Sequence, residues 1–297
     1  MKGKIRTMKI TKAVIPAAGL GTRMLPISKS VPKEMLPIDA KPAMQYLIEE
    51  AAESGITDVL IITAVGKECI EKHFTACPQY EKKLLESGKE ELYEEIRSIN
   101  DLANIYYLHQ HETGGLGQAV RMAKNFVKDE PFAVIYGDDL VISEKPATLQ
   151  LCEVYEKYGK SVAGVKRVPK DLIGKYCSLK VDDIGNGVYG VSDMIEKPKP
   201  EEILSDLAIL GRVVLEPAIF DILDRIPRGV GGELQLTDAM AVMARESGMF
   251  AYEFEGTRYD IGNKLSYLMA NVECAVNNEE YGDEFKEYLR EFVKNMK

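Results

Sequence analysis

The chain has no tryptophan, only three histidines and only five cysteines among 297 residues. The cysteines (Cys69, Cys77, Cys152, Cys177 and Cys274) are odd in number and form no C-x-x-C pair. A structural zinc site is therefore not expected. Reduced thiols in a cytoplasmic protein fit this pattern best. No stretch approaches ~18 uncharged apolar residues, so no transmembrane span is expected. Lys2, Lys4, Arg6 and Lys9 open the chain, but no apolar h-region follows, so no signal peptide is expected either. Positive charge is also scarce. A net charge of −9 argues against sequence-independent nucleic-acid binding, which needs a basic surface. Cations for an anionic substrate must then be gathered locally, and Arg23, Lys29 and Lys33 form such a gathering.

One further absence is informative. Ala17-Ala18-Gly19-Leu20-Gly21-Thr22-Arg23 follows the apolar run Ala13-Val14-Ile15-Pro16, which reads as a buried strand. A dinucleotide fingerprint needs a third glycine, and Met24 stands at that position. A P-loop needs Gly-Lys-Ser/Thr, and Gly21 is followed by Thr22-Arg23. What remains is a small-residue loop whose backbone N–H groups can approach a polyphosphate. Arg23 and Lys33, the latter in Lys33-Glu34-Met35-Leu36-Pro37, add cationic donors beside it. Without them, an ordinary strand-to-helix turn would be the simpler reading.

With 45% hydrophobic residues over this length, the chain can bury a large core or two lobes. Strand-like and helix-like segments alternate. Val59-Leu60-Ile61-Ile62 within 58–63, the stretch 105–109, and 132–136 read as buried strands. Helical patterns run from Lys41-Pro42 to Gly55 and over 117–129. This rhythm predicts an α/β protein with a Rossmann-like, doubly wound sheet. The Glu- and Lys-rich stretch 81–101 reads as an inserted helical hairpin broken near Gly88, its charges forming a solvated face. The second half is richer in strands: 161–167, 178–181, 188–195, 207–214 and 250–254, with helices over 218–226 and 236–247. Residues 264–297 read as helical, with Leu265, Leu268, Val272 and Val276 on one face. We expect one domain over 1–297 with two functional lobes (8–140 and 141–262) and C-terminal helices (263–297) that could pack on a neighbouring subunit or cover their own core.

In open α/β sheets, ligands bind beyond the carboxyl ends of the strands. The glycine loop, Gln110 and Asp138 all fall at such ends. Asp138, in Gly137-Asp138-Asp139, suits Mg²⁺, which binds through one or two carboxylates plus phosphate oxygens. Asp260, in Tyr259-Asp260-Ile261-Gly262, is a second candidate; either aspartate could instead serve a turn or a cap. Asp139 could replace Asp138, with its side chain pointing differently. Gln110 carries a donor and an acceptor for a base edge, and the glycines after it offer backbone groups. Glu196-Lys197-Pro198 could hold a sugar hydroxyl and a phosphate, or be an exposed turn. Glu233 opens a helix and could hold a ligand or only complement the helix dipole.

These blocks together resemble the sugar-1-phosphate nucleotidylyltransferases, in order and from about Lys12 to the C-terminal helices. The insertion at 81–101 and the block Glu233-Leu234-Gln235-Leu236-Thr237-Asp238 resemble the uridylyl branch more than the thymidylyl branch. The resemblance implies the nucleotide-diphospho-sugar transferase fold, Mg²⁺ as cofactor, and a homodimer or homotetramer. It implies that UTP and glucose 1-phosphate become UDP-glucose and pyrophosphate. It also implies that Ala17, Ala18, Gly19 and Gly21 meet the nucleotide, with Gln110 and Gly115 on uracil. Arg23 and Lys33 would hold the triphosphate, and Asp138 with Asp260 the metal. Glu196 and Glu233 would hold glucose hydroxyls and Lys197 the sugar phosphate. Two positions depart from the family pattern. Tyr176-Cys177 stands where Tyr-Gly is common, at a glycine that lines the sugar site; the thiol is expected to point away from the sugar. Gly114 stands where a longer residue is often found. The alternatives are a related transferase for dTTP or another hexose 1-phosphate, and a silent UDP-sugar sensor.

Overall fold

Continuous apolar runs form the centre of the sheet. In this computed structural model, which describes residues 8–296, the strand Asp58–Thr63 pairs in parallel with Lys12–Pro16 and Asn104–His109. Lys12–Pro16 also pairs in parallel with Phe132–Ile135. Alternate residues of a strand point to opposite faces. Accordingly Ala13, Ile15, Val59 and Ile61 enter one core, while Val14, Leu60 and Ile62 enter the other. Burial on both faces explains why these strands are apolar throughout rather than alternating.

The sheet has nine strands and runs unbroken from the first half of the chain into the second. Its order is Asn104–His109, Asp58–Thr63, Lys12–Pro16, Phe132–Ile135, Leu207–Leu215, Val162–Arg167, Met249–Glu253, Val188–Glu196 and Cys177–Gly185. Leu207–Leu215 is antiparallel to both its principal neighbours, which makes the sheet mixed. The helices Leu116–Met122, Ile219–Arg225 and Leu236–Ser247 cover one face. Ala43–Glu53 and Ala147–Tyr158 cover the other.

The chain departs from the sequence-based expectation in several places. The helical pattern over 117–129 divides into Leu116–Met122 and Lys124–Val127, which meet at Ala123. The strand expected over 178–181 extends over Cys177–Gly185 because Val188–Glu196 returns beside it. A small antiparallel ribbon, Asp139–Ile142 with Thr257–Asp260, sets Asp139 opposite Asp260. The insertion is a helical hairpin, Pro78–Glu86 and Glu90–Asn100, turning at Gly88. The C-terminal stretch is also a pair, Lys264–Val276 and Gly282–Asn295. Lys2, Lys4 and Arg6, and the leader expectation resting on them, lie outside the described residues. Among the described residues, no helix is long and apolar enough to cross a membrane.

Arg212, within the central strand Leu207–Leu215, is only 1% exposed. Its Nε and Nη2 donate to Glu50 Oε1 and Oε2 at 2.8 and 2.6 Å. Thr148 donates to the same carboxylate through its N–H and hydroxyl, at 2.9 and 2.6 Å. This buried pair ties both covering helices of one face to the sheet.

Candidate active site

Two adjoining cavities open beyond the carboxyl ends of the central strands, and Leu116 lines both. The smaller, about 240 Å³, is lined by Pro16, Ala18, Gly19, Lys33, Gln110 and Gly115, among others. The larger, about 570 Å³, is lined by Arg23, Asp138, Cys177, Glu196, Lys197 and Asp260, among others. The fold therefore brings together groups that lie more than two hundred positions apart in sequence.

The glycine loop follows the strand Lys12–Pro16, and Ala17 N–H continues that strand's bonding by donating to Ile62 O at 2.7 Å. Gly115 adopts φ 97°, and a Cβ there would lie 2.7 Å from Glu233 Cβ and from Leu234 O. Only glycine fits such a backbone at such an approach. Gln110 is buried at the end of its strand, with its N–H on Thr63 O at 2.7 Å. Ala17 and Gly21 shape the loop without lining either cavity. Glu233 departs from its expected grouping. It is exposed and lines the smaller cavity with Gln110 and Gly115, not the larger one with Glu196. The reason is local: Gln235 Nε2 donates to it at 3.1 Å, and its Cβ packs over Gly115.

At the junction, cations and carboxylates alternate. Lys33 Nζ contacts Asp138 Oδ2. Arg23 donates to Asp260 at 2.8 and 3.3 Å and lies 3.7 Å from Asp138. Burial alone would push the Asp138 carboxyl up, but Lys33 and Arg23 outweigh it and hold the pKa below its ordinary value. Burial likewise works against the charge on Lys33, and Asp138 and Glu34 more than restore it. Asp139 lines the same cavity but is committed to another cation. It is 3% exposed and ion-pairs with Arg258. Burial, with Asp138 and Asp260 nearby, pushes its pKa up to about 6 against the pull of Arg258. Asp138 is thus the carboxylate open to a ligand.

A Cβ on Gly262 would lie 3.0 Å from Asp260 Oδ1 and 3.3 Å from Asp138 Oδ2. Glycine leaves room here for the Arg23 guanidinium, whose Nη2 would lie 2.7 Å from that Cβ, between two hard oxygen donors. That donor set fits Mg²⁺, which takes one or two carboxylates and completes its shell with phosphate and water. Among the described residues no group of three or more His, Cys, Asp or Glu could form an all-protein cage, and such a magnesium site does not need one.

In the larger cavity, Thr237 donates to Glu196 at 3.0 Å. Burial pushes the Glu196 carboxyl up, with Thr237 and Lys197 opposing. Lys197 has φ 47°, a left-handed backbone uncommon outside glycine, and its N–H donates to Tyr176 O at 2.8 Å. Such conformations concentrate at functional sites. Its ammonium is half exposed and 3.9 Å from Glu196, so it is held only loosely. Cys177 lines this cavity at 3% exposure, and burial raises its thiol pKa well above the ordinary value, followed by the effect of Glu196. It is therefore a protonated wall and not a nucleophile. Gly114 lies close to Gln118; a Cβ there would sit 1.8 Å from Gln118 Oε1.

Arg258, Tyr136 and Lys67 escaped the sequence reading. Arg258 and Tyr136 line the larger cavity, and Arg258 Nε and Tyr136 Oη are buried without a hydrogen-bond partner. Arg258 lies two residues from Asp260, and that proximity was its only signal.

A chain with this sheet, a phosphate-sized loop and paired carboxylates at the strand ends has the build of an enzyme that moves nucleotidyl groups. The Nucleotidyl transferase family model matches residues 12–277, and the chain belongs to that family. Curated relatives narrow the class. A UTP–glucose-1-phosphate uridylyltransferase (YngB) of Bacillus subtilis is 49% identical over 96% of both chains. UTP–glucose-1-phosphate uridylyltransferase 2 of Staphylococcus saprophyticus is 47% identical over 97% of this chain and 99% of its own. Among solved structures, a UDP-glucose pyrophosphorylase complexed with UDP-glucose is 38% identical, with TM-score 0.82, over 91% of this chain and 100% of its own. UTP-bound UGPase from Acinetobacter baumannii is 33% identical, with TM-score 0.88, over 97% and 100%.

Proposed function

We propose that this chain transfers a uridylyl group from UTP to α-D-glucose 1-phosphate, yielding UDP-glucose and pyrophosphate. The observation that carries this reading is the junction: Lys33 of the smaller cavity meets Asp138 of the larger one, which Arg23 also faces. Relatives named for this reaction support it across nearly the whole chain.

Uracil pairs with Gln110 and the backbone at Gly115, and the triphosphate runs along Ala18 and Gly19 toward Lys33 and Arg23. Glucose lies in the larger cavity against Glu196, with its phosphate on Lys197. An oxygen of that phosphate attacks the α-phosphorus of UTP. One P–O bond forms, the bond to the β-phosphate oxygen breaks, and pyrophosphate leaves with the electron pair. The attacking oxygen is already anionic, so no Ser-His or Cys-His base is required. Catalysis consists of alignment and charge neutralisation by Arg23, Lys33 and Lys197. Mg²⁺ held by Asp138 and Asp260, when bound, supplies further neutralisation of phosphate charge. The reducing cytoplasm suits five cysteines that are free in the structure.

A substrate survey tests the reading. Pyrophosphate release should be greatest for UTP with glucose 1-phosphate. Turnover only with dTTP, or only with a different hexose 1-phosphate, would replace it with the related transferase; binding without any turnover would favour the sensor. Lys197→Ala should raise KM for glucose 1-phosphate by on the order of 10-fold or more, with little change in KM for UTP. Equal effects on both would contradict this division of labour.

The chain also assembles with further copies of itself in this reading, as a homodimer or homotetramer. Leu265, Leu268, Met269 and Val272 on Lys264–Val276 are 42–68% exposed, an apolar face of the kind that subunit contacts cover. Leu268→Glu should shift the protein to a smaller species in light scattering. An unchanged mass would remove this face from the contact.

A further inference from the structure

Lys67 stands in the turn between the strand Asp58–Thr63 and the short helix Glu68–His73. Its Nζ donates to Ala17 O at 2.5 Å, to Gly19 O at 2.8 Å and to Glu34 Oε2 at 2.9 Å. An ammonium has three donors, so all are committed and none remains for a phosphate. The two side chains are 10% and 1% exposed. A pair this deeply buried is weak evidence for stability, because desolvation offsets much of its attraction. Its geometric effect is more telling. A trans peptide is planar, so each N–H points opposite to the carbonyl of the residue before it. Turning Ala17 O and Gly19 O toward Lys67 turns the N–H groups of Ala18 and Leu20 away from it. Among the described residues, neither N–H has a backbone carbonyl as acceptor. Ala18 and Gly19 line the smaller cavity and Leu20, exposed, follows them in the loop, so two oriented, uncommitted N–H groups are available to an anion. Glu34 lies beside Lys33 in the turn Lys33–Met35, so the same clamp also fixes the base of the Lys33 side chain.

We propose that Lys67 is a positioning residue for UTP: through Ala17 O, Gly19 O and Glu34 it holds the glycine loop with the Ala18 and Leu20 amides presented to the nucleotide phosphates. It touches no substrate itself. This role rests on the UTP reading above.

The test compares UTP binding by calorimetry, both KM values and thermal melting in wild type, Lys67→Met and the double variant Lys67→Met/Glu34→Gln. Lys67→Met alone leaves a buried carboxylate unpaired and is expected to melt lower. The double variant removes that charge and should regain melting temperature. In both, UTP affinity should fall roughly 10–100-fold, the loss expected when one hydrogen bond to a charged group goes unmade. KM for glucose 1-phosphate should stay within about twofold of wild type in both variants. Recovery of UTP affinity along with melting temperature in the double variant would overturn the role. So would a parallel rise of both KM values, or unchanged UTP affinity. If wild type binds UTP and Lys67→Met binds it equally, only the positioning role fails. If wild type binds no UTP, the uridylyl reading fails and this role with it.

Discussion

Asp138→Ala is expected to lower kcat by on the order of 10³-fold or more while leaving the melting temperature near that of wild type. Among the described residues, Asp138 is the carboxylate in contact with both Lys33 and Arg23, the cations proposed to hold the phosphates. It also lies close to Gly262. Its removal leaves Lys33 without this partner and Arg23 with Asp260 alone, and it takes away the proposed oxygen donor for Mg²⁺. The fold should tolerate the change because the side chain is 28% exposed at a cavity wall and holds no part of the core. Asp138→Asn keeps the shape and removes the charge, and it should be nearly as inactive. Activity within about tenfold of wild type in both variants would take Asp138 out of the metal role. Loss of the folded baseline in circular dichroism would show a structural role instead.

Arg212→Ala should be the most damaging single change to stability, costing about 3–5 kcal/mol at neutral pH. The cause is the bidentate pair with Glu50 inside the sheet, where removal of one partner strands the other. Burial pushes the Glu50 carboxyl up, yet Arg212 and Thr148 hold it below its ordinary value. A carboxyl lowered on folding adds stability that is complete above its unfolded pKa. That stability is lost as pH falls through the folded value. In the variant, burial acts unopposed by Arg212 and raises the same carboxyl, so the sign reverses. The difference in melting temperature between wild type and Arg212→Ala should therefore narrow as pH falls, starting above the ordinary Glu pKa of about 4.3 and continuing below it. A difference that is small at pH 7, or one that widens in acid, would contradict this account of the pair.

Much of the fold was legible because the central strands are buried on both faces. Val59-Leu60-Ile61-Ile62 needs no partner to be read as a strand. The ribbon of Asp139–Ile142 with Thr257–Asp260 was not legible. Each strand is four residues long, and they lie more than a hundred positions apart. Yet this pairing is what brings Asp260 to Asp138. The helix Ala147–Tyr158 carried a usable signal, with Ala147, Leu151, Val154 and Tyr155 buried on one side. The sugar role of Glu233 came from the family resemblance alone, and the sequence could not show that the close approach at Gly115 sets it beside Gln110 and Gly115. Lys67 is one lysine among many in the sequence. Its partners are two carbonyl oxygens and a buried glutamate, so only the folded chain reveals it.

The central claim is that the two cavities are the two halves of one transfer site, and a crystal structure with UDP-glucose and Mg²⁺ tests it most directly. The account predicts uracil against Gln110 and Gly115 and the diphosphate beside Asp138 and Arg23. Glucose should lie against Glu196, with Lys197 on its phosphate. Uracil in the larger cavity, or a sugar bound away from Glu196 and Lys197, would contradict it.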